Sequence, residues 1–102
     1  MHTFQLLNIL SNLISKATID TVFETARVEE VIGDFVQLKR AGSNWKGLSP
    51  FSEERSPSFM VSPAKGIWKD FSSGKGGNSV AFLMEHSHFT YPEAIRYLAK
   101  KY

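Results

Sequence analysis

Cysteine is absent from the 102 residues of this chain. That absence excludes disulfides, catalytic thiolates and every metal site built on cysteine ligands. No apolar run approaches the roughly 20 residues that a membrane-spanning helix needs. The first residues also lack the basic segment and the small-residue cleavage pattern of a signal peptide. The sequence therefore predicts one small domain that needs no disulfide and does not enter a membrane.

The signatures of catalysis are also absent. The acidic residues are scattered, and no Gly-x-Ser-x-Gly pattern occurs. The segment 73–79 looks like a phosphate-binding loop, but position 69 is lysine where the P-loop needs glycine, and Gly76 follows Lys75 where it needs Ser or Thr. A turn that feeds a helix and a loop that offers backbone N–H groups to nucleic-acid phosphates both remain open. We expect no catalytic residue within the chain.

What is present is an uneven distribution of charge and apolar residues. Residues 35–77 hold seven basic and three acidic side chains, a net charge of +4, against −3 before them and +1 after them. A basic central third is a mild indication of an anionic partner.

The apolar segment 1–14 is interpreted as a leader or as a helix foreign to the native protein. After it, apolar periodicity divides the chain into three parts. Helical spacing follows a predicted N-cap at Thr18 and continues to Phe35. Alternation from Val36 to Phe71, broken by turn residues, predicts short antiparallel strands. Asn78 or Ser79 then caps a helix, and Thr90 to Glu93 forms a capping box for the last one. The predicted fold is α+β, a small antiparallel sheet flanked by N-terminal and C-terminal helices, over residues 15–102.

Cations and aromatic side chains are concentrated in the predicted sheet. Single-stranded nucleic acids are bound by cationic grooves that also offer aromatic faces for base stacking. At least one tryptophan should be buried, because so small a sheet needs large core residues, and the pattern does not indicate which face is exposed. The candidate DNA-binding residues are Lys39, Arg40, Trp45, Lys46, Arg55, Lys65, Trp68, Lys69 and Lys75.

The same region resembles the N-terminal zinc-binding, zinc-ribbon domain of bacterial-type DNA primase. The resemblance covers about residues 15–102, and it is specific because many short motifs occur in the family's order. The motifs are residues 31–48, Pro50-Phe51, 56–59, 61–63, Phe71, Gly74, Gly76-Gly77, 82–85, 92–94 and 96–99.

One departure from that family concerns its zinc ligands. The family holds zinc with Cys-x2-His and Cys-x2-Cys, and the resemblance places those positions at Ser49, Ser52, Asp70 and Ser73, with 17 residues between the two pairs. Serine hydroxyls are poor zinc ligands and one carboxylate cannot hold the ion alone. We expect no structural zinc. The candidates to replace it are hydrogen bonds among these four residues and packing by Phe51, Phe59, Phe71 and the flanking helices.

The resemblance implies a template-binding module of a longer primase, which synthesises RNA primers for replication. Its implied partners are single-stranded template DNA, a polymerase domain in the same parent chain that would use Mg²⁺, and the replicative helicase, in the cytoplasm at the replication fork. The chain alone would not be catalytic. The alternative is a protein-interaction module that keeps this fold without binding DNA.

Overall fold

The computed structural model describes residues 14–53 and 56–102. Within these residues, two helices precede a five-stranded antiparallel sheet and two follow it, and the strands lie in the order β1-β2-β3-β4-β5. The α+β prediction is confirmed. The elements are α1 (Lys16–Thr25), α2 (Val28–Gly33), β1 (Lys39–Ala41), β2 (Asn44–Gly47), β3 (Phe59–Ser62), β4 (Ile67–Asp70), β5 (Gly76–Gly77), α3 (Ser79–His86) and α4 (Tyr91–Lys101).

Side-chain caps fix where three of the four described helices begin, and α2 begins after Arg27 without one. Helix α1 is capped by Ser15, whose Oγ accepts the Thr18 N–H at 3.1 Å, so the predicted cap at Thr18 was wrong. Asn78 caps α3, and its Oδ1 accepts the Ala81 N–H at 2.9 Å. Thr90 and Glu93 exchange both hydrogen bonds of a capping box at the start of α4. The prediction for residues 1–14 falls, apart from Ile14, outside the described residues.

Two apolar clusters form the core. One joins the helices through seven residues, and the other joins the sheet to α2 and α3. At the centre of the second lies Trp68, which is 1% exposed and whose indole N–H donates to the Asn78 carbonyl at 2.8 Å. Its ring stacks against Phe59 and Phe51, with centroids 5.7 and 5.4 Å away. The prediction that at least one tryptophan is buried is confirmed.

The register gives the sheet two distinct faces. One row of paired residues runs from Arg40 through Trp45, Val61 and Trp68, and it faces the helices. We call this side the inner face. The next row belongs to the opposite side, the outer face, and consists of Lys39, Lys46, Met60, Lys69 and Gly76. Because side chains alternate along each strand, no residue can serve both faces.

Candidate nucleic-acid interface

The outer face carries a row of lysines across three strands. Lys39 pairs with Lys46, Lys46 with Met60, and Met60 with Lys69. All three lysines are exposed, and the half-buried Met60 separates Lys46 from Lys69. The only acidic residue in the five strands is Asp70, which is buried on the inner face. The strands therefore present a cationic outer surface with an apolar strip at its centre.

A shallow depression of about 460 Å³ adjoins the lysine row on the β3–β4 side. Its wall includes Lys65 from the β3–β4 turn, Ile67 and Lys69 from β4, and Phe71, the residue that follows β4. Phe71 is 67% exposed. The prediction that Phe71 packs in place of the zinc site was wrong, because Phe71 lies one residue beyond the buried Asp70 and points to the opposite side.

The two predicted tryptophans lie on the other side of the sheet. Trp68 offers no free ring face, so its assignment as a base-stacking residue was wrong. Trp45 is half-buried against the sheet cluster, and the guanidinium of Arg40 lies 5.1 Å from its ring centroid. Arg40 and Trp45 thus form a cation–π pair at the edge of the inner face. Sequence alternation located both tryptophans in strands but did not identify the exposed face.

The remaining predicted cations differ in what they contact. Lys75 pairs with Glu85 at 2.7 Å and lies 5.7 Å from the Phe51 ring centroid. Lys69 donates to the Gly74 carbonyl at 2.9 Å but stays exposed. Arg55 lies outside the described residues. The structure therefore brings Lys39, Lys46, Lys65 and Lys69 to one side and gives Lys75 a partner of its own.

Below the outer face, two loops meet around the carboxylate of Asp70. Ser49, which follows β2, donates from its hydroxyl to Oδ2 at 2.7 Å, and Ser73 donates to the same oxygen at 2.6 Å. The hydroxyl of Ser72 donates to Oδ1 at 2.9 Å. Asp70 itself is 0% exposed. We call Ser49, Ser52, Asp70, Ser72 and Ser73 the Asp70 cluster.

The fourth predicted position joins this cluster indirectly. The Ser52 hydroxyl lies 2.9 Å from that of Ser72, and because Ser72 gives its proton to Asp70, Ser52 is the donor of this pair. Sequence reasoning missed Ser72, which donates to Asp70 directly, whereas Ser52 reaches the carboxylate only through Ser72. Each loop also turns a backbone N–H onto a serine oxygen, from Phe51 to Ser49 at 3.0 Å and from Lys75 to Ser73 at 3.3 Å.

Opposing influences act on the pKa of Asp70. Burial alone would raise it, because a desolvated carboxylate disfavours its charged form. The hydrogen bonds from Ser73, Ser49 and Ser72 stabilise the anion, and together they hold the pKa below its ordinary value of 3.8. Asp70 is therefore a buried anion at neutral pH, stabilised by the dipoles of the hydroxyls that donate to it.

The glycine loop forms part of the sheet, and His86 packs on an aromatic ring. Gly76 and Gly77 form β5 and pair with Lys69 and Trp68. The His86 ring stacks on Phe82, with centroids 5.0 Å apart.

Within residues 14–53 and 56–102, no group of three or more His, Cys, Asp or Glu side chains could hold a metal ion. In the same residues, no helix is long and apolar enough to cross a membrane.

Comparison with known proteins identifies the family. The profile of the CHC2 zinc finger family matches residues 14–102. The DNA primase of Listeria monocytogenes is 46% identical over 86 residues, which are 84% of this chain and 14% of that protein. The DNA primase of Mycobacterium tuberculosis is 44% identical over 93 residues, 90% of this chain and 15% of that protein.

A solved structure agrees with both. The crystal structure of the Aquifex aeolicus primase, which comprises zinc-binding and RNA polymerase domains, superposes with a TM-score of 0.80 and 36% identity over 87% of this chain and 22% of that one. The chain spans about one seventh of the length of the curated relatives that it matches. Sequence profile, relatives and fold thus agree that this chain belongs to the CHC2 zinc finger family, the zinc-binding domain of DNA primases.

Proposed function

We propose that this chain binds the single-stranded DNA template of a primase through the outer face of its sheet. The observation that carries the proposal is the cross-strand row of Lys39, Lys46 and Lys69, with the exposed ring of Phe71 beside it. Exposed cations on strands whose one carboxylate, that of Asp70, is buried attract phosphates, and an exposed aromatic ring accepts a stacked base.

The geometry favours a single strand over a duplex. The lysine row and the depression next to it follow a short, shallow surface, and in the described part of the chain no helix contributes to the wall of that depression or could enter a major groove from it. Phe71 can stack only on a base that is already unpaired. Lys65 at the turn and Lys69 on β4 flank that ring in the wall of the depression, where they can neutralise the adjoining phosphates.

The activity of the whole protein is also part of this proposal. The relatives are named as DNA primases, and the solved neighbour contains an RNA polymerase domain. By extension, a polymerase domain elsewhere in the parent chain, working with Mg²⁺ as a nucleotidyltransferase, synthesises the RNA primer in the primosome while this domain holds the template. We place that work in the cytoplasm at the replication fork, beside the replicative helicase.

Fluorescence anisotropy with short labelled single strands at several salt concentrations tests template binding. Three or four phosphate contacts predict a slope of log affinity against log salt of about −2 to −3. Lys46→Gln should weaken binding and make the slope shallower by about 0.7. Its matched control is Lys100→Gln, an equally exposed lysine on α4, which packs against α1 and α3.

Equal effects of Lys46→Gln and Lys100→Gln would show that binding reflects net charge alone and would contradict the assignment of the outer face. No salt-dependent affinity at all would favour the protein-interaction module. One observation favours that second function, a mainly apolar groove of about 780 Å³ beside the lysine row, lined by Phe35, Leu48, Pro50 and Pro57 together with Lys39 and Lys46.

A further inference from the structure

The residues at the family's zinc-ligand positions do not fit zinc. Structural zinc sites use thiolate and imidazole ligands, and this chain has no cysteine. Of the four positions, three are serines and one is Asp70. The oxygens of Asp70 already accept hydroxyl hydrogens from three serines, so the carboxylate is committed to donors within the protein.

We propose that the Asp70 cluster has replaced the zinc ion as the link between the two loops, so that this domain folds and keeps its shape without a metal. The cluster ties Ser49, after β2, to Asp70 at the end of β4, across 21 residues of sequence. It also closes the loop after β4, where the Asp70 N–H donates to the Lys75 carbonyl and the Gly74 N–H to the Asp70 carbonyl, each at 2.8 Å.

The charge of the cluster supports the replacement. Three thiolates and one neutral imidazole around Zn²⁺ sum to one negative charge. The Asp70 cluster also carries one negative charge, on a carboxylate held ionised by its donors. A neutral or doubly charged site would differ from the zinc site in net charge, and the observed residues keep that net charge the same.

Aromatic packing supplies a second link between the same loops. Phe51 lies between Ser49 and Ser52, and its ring contacts Trp68, Phe82 and Phe59 with centroids 5.4, 6.1 and 6.4 Å away. The loop is thus anchored to the sheet cluster on one side and to Asp70 on the other. Both anchors are built from ordinary side chains, and neither needs an ion.

Metal analysis of the purified chain is the first test. After expression in zinc-supplemented medium, we expect under about 0.1 zinc per chain, and we expect a strong chelator to leave the melting temperature unchanged. A zinc content near one per chain, together with a lower melting temperature in chelator, would overturn the proposal.

A pair of carboxylate substitutions tests the cluster itself. Asp70→Asn keeps the size of the side chain and removes its charge, and we expect a fall in melting temperature of about 5–15 °C. Glu53→Gln, an exposed carboxylate in the same region, is the matched control and should melt like the parent. Equal melting of Asp70→Asn and the parent would contradict the proposal. Should Asp70→Asn fail to fold, Ser73→Ala removes one donor only and should give a smaller fall.

Restoring the family's ligands makes the opposite test. The quadruple variant Ser49→Cys, Ser52→His, Asp70→Cys and Ser73→Cys should bind about one zinc per chain and become sensitive to chelator, while the parent stays insensitive. A well-folded quadruple variant that binds no zinc would overturn the equivalence between the Asp70 cluster and the zinc site.

Discussion

The two faces of the sheet treat charge in opposite ways. On the outer face, three lysines stand exposed in a row with no acidic side chain among the strand residues on that side. On the inner face, one carboxylate is fully buried and receives three hydroxyl donors. A charge with all its hydrogen bonds made inside the protein has none to offer a ligand, whereas a solvated charge does. The buried charge of the inner face thus serves the fold, and the cations of the outer face stay exposed.

The largest expected effect is on the inner face, at Trp68. Its ring is almost completely buried among aromatic neighbours, so Trp68→Ala should lower the free energy of unfolding by about 3–5 kcal/mol. Urea denaturation measures it. A loss below about 1 kcal/mol would mean that the inner face tolerates a large cavity. The two faces would then differ less in their contribution to stability than the burial of Trp68 indicates.

Removing the buried charge comes next. Asp70→Ala leaves the hydroxyls of Ser49, Ser72 and Ser73 without their acceptor and should cost about 1–3 kcal/mol of stability. The loss of stability in Asp70→Ala should exceed the loss in Ser49→Ala, which removes one donor and leaves the others in place. The exposed neighbour Lys69→Ala, one residue earlier on the opposite face, should stay within about 0.5 kcal/mol. If Ser49→Ala is the costlier substitution, Asp70 is not the centre of the cluster.

Phe71 sharpens the comparison, because it should affect binding and leave stability alone. Its ring is mostly exposed, so Phe71→Ala should change the unfolding free energy by less than about 0.5 kcal/mol. On the proposed template it should cost about 1–3 kcal/mol of affinity, roughly 5- to 150-fold, with the salt slope unchanged. Phe71→Trp, which preserves a stacking surface, should keep the affinity. A loss of stability without a loss of affinity would show that Phe71 contributes to the fold and not to DNA binding.

Acid should lower the stability that the buried carboxylate of Asp70 provides. Because the folded pKa of Asp70 lies below its ordinary value of 3.8, its contribution to stability is complete above that value and is lost as the pH falls through the folded pKa. Glu93, whose pKa is lowered by its capping-box hydrogen bonds from Thr90, contributes in the same acidic range. Melting temperature measured from pH 7 to pH 2 should therefore fall less steeply in Asp70→Asn than in the parent. Parallel curves would place the acid sensitivity elsewhere.

The sequence was informative where local patterns decide the structure. Alternation located the strands, and the side chains of Asn78 and Thr90 located two helix starts. It could not show that Lys39, Lys46 and Lys69 form one row, because their register depends on pairing between strands separated by loops. Nor could alternation show which face is exposed to solvent, and for that reason Phe71 was wrongly predicted to pack in the core.

The candidate site was predictable in part for a similar reason. The resemblance to the primase zinc-binding domain identified the positions of Ser49, Ser52, Asp70 and Ser73, and the structure joins all four in one cluster. The direction of each hydroxyl depends on the path of its loop, which no periodicity describes. That is why Ser72 donates directly and Ser52 only through it.

The absence of thiols from the Asp70 cluster has a chemical consequence outside folding. Zinc-bound thiolates are oxidised by peroxide through sulfenic acid to disulfides and higher acids, and a site that loses them releases its metal. Hydroxyl and carboxylate oxygens have no such reaction. The link between the two loops therefore holds no thiolate for an oxidant to attack. On the proposal that this link replaces the ion, the domain would stay intact under oxidative stress or zinc shortage, where a thiolate-zinc counterpart would lose its metal.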